Sequence, residues 1–211
     1  MKNLRSHLLT VTVSLALAAS AVAQVANPSF EDPITFDGAP FVGSWEGFNG
    51  GGASAANSSL LPRTGTQSLL LSIANTPNTF AGTFQDMPGL TSGVGYIFSG
   101  WHATTSSPLD VGVEFRIEWR NSGSNSEVSR TPNETTAPTS SFLPFTLTAT
   151  APVGADVARI VYAIQSFSTA PLGNGVVYVD DISFTAVPEP SSLMLLGVGG
   201  LALVAIRRRR S

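Results

Sequence analysis

Ten residues near the middle of the chain alternate with a period of two. Val111, Val113, Phe115, Ile117 and Trp119 hold one parity; Gly112, Glu114, Arg116, Glu118 and Arg120 hold the other. Successive side chains of an extended strand point to opposite faces, so this stretch buries one face and solvates the other. That is the signature of an antiparallel sheet with one wet side. Tyr96 to Ala103, Phe142 to Thr150, Ala158 to Gln165 and Val176 to Phe184 read as further strands. Turn-rich pieces separate them, among them Pro88-Gly89, Asn121-Ser122-Gly123, Pro152-Val153-Gly154 and Gly173-Asn174-Gly175. Between Gln24 and Val187 no stretch sustains a 3.6-residue apolar period. The pattern predicts an all-β domain, a two-sheet antiparallel sandwich.

Both ends carry a different kind of signal. Lys2 and Arg5 precede an apolar run from Leu8 to Ala19, and Ala21-Val22-Ala23 supplies the small-x-small pattern that signal peptidase cuts. A signal peptide over residues 1–23 is expected, with the mature chain starting at Gln24. At the other end Pro188-Glu189-Pro190 leads into an apolar run of 14 residues, Leu193 to Ile206, closed by Arg207, Arg208, Arg209 and Arg210. As a helix that run rises only ~21 Å, against a hydrocarbon core of ~30 Å. Adding Ser191 and Ser192 reaches ~24 Å, so crossing a bilayer requires local thinning or snorkelling arginines. A basic stop stays cytoplasmic and leaves the preceding chain outside. The expected organisation is a signal peptide over 1–23, a sandwich over 24–186 and a sorting segment over 187–211.

Six of the 11 basic residues lie in those two end segments. Residues 24–187 hold five arginines and no lysine against 13 acids, a net charge of −8. Such a surface repels nucleic acid and anionic headgroups and suits divalent cations or neutral ligands. The chain has no cysteine. Stability therefore comes from the core, and thiolate zinc sites are excluded. A span of this length suffices for one domain.

The tail resembles the PEP-CTERM sorting signal of exopolysaccharide-producing Gram-negative bacteria, with motif, apolar segment and arginine cluster in order. The resemblance implies recognition and removal by an exosortase, after transient anchoring in the inner membrane through the C-terminal helix. The middle of the chain opens with Asn27-Pro28-Ser29-Phe30-Glu31-Asp32, followed by Trp45 and then Thr64-Gly65-Thr66-Gln67-Ser68-Leu69-Leu70-Leu71. Phe84-Gln85, Ala151-Pro152 and a closing Val177-Tyr178-Val179-Asp180-Asp181-Ile182-Ser183-Phe184 complete the series. This order is similar to the galactose-binding-like jelly roll of many carbohydrate-binding modules. Pro28 departs from it, where the family often has Gly.

Two sites follow from that resemblance. In the jelly-roll family an opening Glu and a closing Asp commonly hold a structural Ca²⁺; the matching residues are Glu31 and Asp181, with Asp180 and Asp32 nearby. Calcium takes six to eight oxygens, and strand alternation sends Asp180 and Asp181 to opposite faces. The alternative is strand-end acids in water or paired with Arg63 or Arg159. Sugar-binding sandwiches stack rings on exposed aromatics. Tyr96, Phe98, Gly100 and His102 share one parity and Trp101 the other, so Trp101 is expected to face outward as the ligand platform. Arg116 and Gln165 are its expected polar neighbours, Trp119 is expected in the core, and Trp45 at the core or its rim.

Catalysis has little material. His102 is the one histidine between Gln24 and Val187, and its parity predicts burial, so a nucleophile–histidine device is not expected. Glu114 and Glu118 lie ~13 Å apart along an extended strand, beyond the ~5–9.5 Å of paired glycosidase carboxylates. No phosphate-binding Gly loop or metal-peptidase motif occurs. The sequence points to an exported, non-enzymatic envelope or matrix protein without a catalytic cofactor, binding glycans of an extracellular polymer. The alternative is a purely structural matrix or surface component.

Overall fold

The computed structural model describes residues 24–166 and 173–187. The expected signal peptide, the Pro188-Glu189-Pro190 motif, the apolar segment and the Arg207 to Arg210 cluster lie outside them. All ten elements among the described residues are strands. They are β1 (Glu46–Asn49), β2 (Ala53–Ser58), β3 (Ser68–Ile73), β4 (Thr79–Pro88), β5 (Gly95–Thr104), β6 (Gly112–Asn121), β7 (Ser126–Arg130), β8 (Leu143–Thr150), β9 (Val157–Ser166) and β10 (Gly175–Ala186). The first sheet has the order β1-β4-β9-β6-β7 and the second β2-β3-β10-β5-β8. Every strand pair is antiparallel. The fold is the two-sheet sandwich that the alternation predicts, of the jelly-roll kind that the resemblance implies.

The core forms where the inner parities meet. Val113, Phe115, Ile117 and Trp119 point inward from β6, against Tyr96 and Phe98 of β5, Phe145 of β8 and Tyr162 of β9. Rings dominate: Phe115 lies 4.7 Å from Phe145, and Phe98 meets Phe145 edge-on at 5.6 Å. Such pairs add to the transfer of their area out of water. Trp45 is also fully buried, tilted against Phe30 at 5.0 Å, and donates its indole N–H to the Asn27 carbonyl.

The simple rule of apolar inside and polar outside, strand residue by strand residue, fails in two places. In β4 the inner parity is Ala81, Thr83, Gln85 and Met87, while Phe80 and Phe84 point out. The buried polar groups find backbone partners: Thr83 donates to the Glu46 carbonyl, and Gln85 grips Ala26 and Ser44. A satisfied polar group costs little to bury, so the phenylalanines are free to take the outer side.

The second failure is in β10. Asp180 pairs with Trp101 and Ser183 with Ser99, so Asp181 and Ile182 together oppose Gly100. This is a β-bulge, with Asp181 at φ 50°. A Cβ on Gly100 would lie 2.6 Å from Ile182 and 2.7 Å from Phe145, so a larger residue there must displace core side chains beside the bulge. The bulge resets the parity, and the expectation of opposite faces for Asp180 and Asp181 is overturned. Both carboxylates meet the same loop, residues 59–67.

Candidate functional site

Three neighbouring strands build a two-sided surface on the outside of the first sheet. The cross-strand rows run Phe80–Gln165–Gly112, Gly82–Ala163–Glu114, Phe84–Val161–Arg116 and Asp86–Arg159–Glu118. Phe48 of β1 joins beside Gly82. A gap in the middle lets a ring lie flat: a Cβ on Gly82 would meet Phe48 at 2.5 Å. The β1–β4 side is therefore aromatic, with Phe48 and Phe84 half-buried and Phe80 45% exposed.

The β6 side is polar and tightly paired. Arg116 reaches Glu114 at 2.6 Å and Glu118 at 2.8 Å. The second oxygen of Glu114 accepts from Asn133 and from Gln165. This network explains why Glu114 and Glu118, expected to be solvated, are only 7% and 6% exposed. Their desolvation is offset by charge-assisted hydrogen bonds. Arg159 is held in a two-pronged pair with Asp86 at 2.7 and 2.8 Å, its guanidinium 3.9 Å over the Phe84 ring.

Trp101 belongs to the other side of the molecule. It pairs across β5 with Asp180 and Pro144 on the outer face of the second sheet, away from Arg116 and Gln165. The sandwich core separates them, so the expected grouping of Trp101 with Arg116 or Gln165 is corrected. The ring is covered as well: the Arg63 guanidinium lies 3.8 Å over it and is paired to Asp181.

The expected calcium ligands have other partners. Glu31 accepts from the Thr66 N–H and hydroxyl and from the Gln67 N–H. Asp180 accepts from the N–H groups of Arg63, Thr64 and Asp181. Asp181 accepts from the Arg63 guanidinium and from the hydroxyls of Thr64 and Ser29. Hydrogen bonds from Thr66 and Gln67 hold the Glu31 carboxyl below the usual range, whereas burial raises that of Asp180. These oxygens face N–H and O–H donors and a guanidinium cation, a set that does not fit a calcium shell. Among the described residues no group of three or more His, Asp or Glu is placed to hold a metal.

His102 is fully buried, and burial lowers its imidazole to about 4. Its Nδ1 shares a 2.7 Å hydrogen bond with the Tyr162 hydroxyl, and Nε2 has no partner among the described residues. A neutral ring sealed among Phe145 and Tyr162 is a packing group, without access to a substrate.

The aromatic half of the first-sheet surface was missed from sequence, where residues 79–88 drew no strand assignment and Phe80 no role. The one available signal was Gly82 between Phe80 and Phe84, a gap that lets a neighbouring ring approach.

Residues 186–210 match the PEP-CTERM protein-sorting motif. No curated protein matches the chain. Among solved structures, the CBM22-1 xylan-binding domain from Paenibacillus barcinonensis Xyn10C aligns at TM-score 0.53 and 17% identity over 82% of this chain and 99% of its own. A structure described as "CBM4 structure and function" aligns at TM-score 0.51 and 20% identity, over 77% and 99%. The enzymatically active domain of bacteriophage CBA120 tailspike protein 4 aligns at TM-score 0.59 and 16% identity over 78% of this chain, which spans only 21% of that one. Identities this low establish the fold. The chain thus joins a jelly roll of the carbohydrate-binding-module type to a PEP-CTERM sorting motif, which implies export.

Proposed function

We propose that this is an exported, non-catalytic glycan-binding protein, and that its ligand lies across the outer face of the first sheet. The observation that carries the reading is the pairing of exposed Phe80 with Gln165 in one cross-strand row, beside the Glu114–Arg116–Glu118 ladder. A sugar ring has an apolar C–H face and a rim of hydroxyls. Phe80 offers a stacking plane, and the side-chain carbonyls of Gln165 and Asn133, whose N–H groups are held by Glu114, offer acceptors at its edge. The xylan-binding neighbour makes such a ligand class reasonable for the fold.

Charge selects among glycans. Arg116 is committed to two carboxylates and Arg159 to a third, so neither is a free cation for a uronate or sulfate. The domain's negative charge opposes an acidic polymer as well. A neutral polysaccharide of the extracellular matrix is the fitting ligand. Affinity electrophoresis of the domain in gels containing neutral or acidic polysaccharide tests this. Retardation by a neutral polymer, insensitive to salt, is expected; retardation only by acidic polymers would overturn it.

Sorting completes the reading. Signal peptidase releases Gln24, the tail holds the protein transiently at the inner membrane, and an exosortase removes it, leaving the domain in the envelope or matrix. A purely structural role has one observation in its favour. The outer face of the second sheet carries Ser54, Ser72, Ser99, Ser183, Thr146 and Thr148 and no uncovered ring.

A further inference from the structure

The sandwich ends in β1 and β7 on the first sheet and in β2 and β8 on the second. An edge strand presents unpaired N–H and C=O groups that pair with another extended chain unless something blocks them. Three of these edges are blocked. Thr35 bridges in parallel to Glu46 alongside β1, accepting from the Gly47 N–H at 2.7 Å and donating to the Trp45 carbonyl at 2.9 Å. On β7, Glu127 and Arg130 place an ion pair. The Asn57 side chain of β2 holds the opening segment beside it, accepting from the Ile34 N–H and donating to the Asp32 carbonyl.

Strand β8 has none of these guards. Among the described residues its backbone pairs only with β5, and that ladder runs from Leu143 to Thr150 without a bulge. No charged residue occurs between Glu134 and Asp156. Pro144 stands near the start of the strand and leaves Phe145 to Thr150, about 20 Å of edge, free of proline. Thr146, Thr148 and Thr150 alternate along it, all exposed.

Charge decides which partner fits. The domain is acidic, so two copies repel wherever their charged surfaces meet. Strands β2, β3, β5 and β8 carry no Asp, Glu, Lys or Arg. Asp180 and Asp181 of β10 are clasped by residues 63 and 64. Set antiparallel against its own copy, β8 brings no like charges together and lines threonine against threonine on the outer face, a favourable cross-strand pairing.

We propose that the protein self-associates through β8, edge to edge about a two-fold axis, joining the second sheets of two copies into one continuous sheet. Strand β2 packs by β1 and β4, and β8 by β6, so the contact leaves the β1–β4 side of both copies open. One strand pair is small beside a permanent dimer interface, so the association is weak and concentration-dependent.

Sedimentation velocity over a concentration series, on protein purified from its host, tests this with two variants. Wild type is expected to pass from monomer to dimer as concentration rises. Thr148→Lys charges the edge and should raise the dissociation constant severalfold without lowering the melting temperature. Thr185→Lys puts the same charge on an exposed position of the same face, but on the central strand β10, and should dimerise as wild type. A wild type that stays monomeric throughout would overturn the pairing, as would dimerisation that Thr148→Lys leaves unchanged. Equal loss in both variants would place the contact on the face of the sheet and overturn the edge.

Discussion

The Arg63 guanidinium lies 3.8 Å above the Trp101 ring while bonded to Asp181, so one side chain covers the outer tryptophan and neutralises the bulge. Three acids from the opening segment and the last strand, Glu31, Asp180 and Asp181, all clasp residues 63–67. A guanidinium serves where a metal ion was expected.

Removing that cation is the first test. Arg63→Ala loses a partly exposed cation–π contact and a partly exposed ion pair, together about 1–2 kcal/mol. For a domain of this size the melting temperature should fall by ~3–6 °C. Melting of the wild type should be the same in calcium and in chelator. A calcium-dependent rise in the wild type would restore the metal site and contradict the clasp.

The bulge supplies the second. In Gly100→Ala the new methyl must displace Ile182 or Phe145, both in the core. Overpacking of this kind costs about 1–3 kcal/mol. Chemical denaturation reads it; a neutral effect would mean the bulge is not held by that contact.

Acid is the third. Burial lowers His102 from 6.5 to about 4, so below pH 6.5 the unfolded chain takes up a proton that the folded one refuses. Stability from this group is intact above pH 6.5 and falls as pH drops toward 4, by up to about 3 kcal/mol. His102→Phe should flatten that slope between pH 6.5 and 4. An unchanged slope would place the acid sensitivity elsewhere.

The sandwich was readable wherever alternation was clean. The β6 parities put Val113, Phe115, Ile117 and Trp119 inside, and so they are. The first-sheet surface was half readable. Arg116 and Gln165 stood out as outward polar positions, and Glu114 shares the parity of Arg116, but the bonds of Glu114 to Gln165 and Asn133 depend on β6 meeting β9 and the segment after β7, which no local pattern encodes. Phe80 and Phe84 were hidden because hydrophobicity outweighs parity until the backbone partners of Thr83 and Gln85 are known. Trp101 was legible as outward, but its cover comes from Arg63, 38 positions earlier in the sequence.

The central claim is that a glycan lies across the first sheet and not on Trp101, and one binding comparison tests it. Wild type, Phe80→Ala and Trp101→Ala are titrated with the neutral polysaccharide that retards the domain, and each variant is melted as a control. Phe80 is 45% exposed, so its truncation should spare the fold. Losing a central aromatic anchor costs about 2 kcal/mol or more of binding, so Phe80→Ala should weaken affinity more than tenfold, with Trp101→Ala close to wild type. Binding lost in Trp101→Ala and kept in Phe80→Ala would contradict the account.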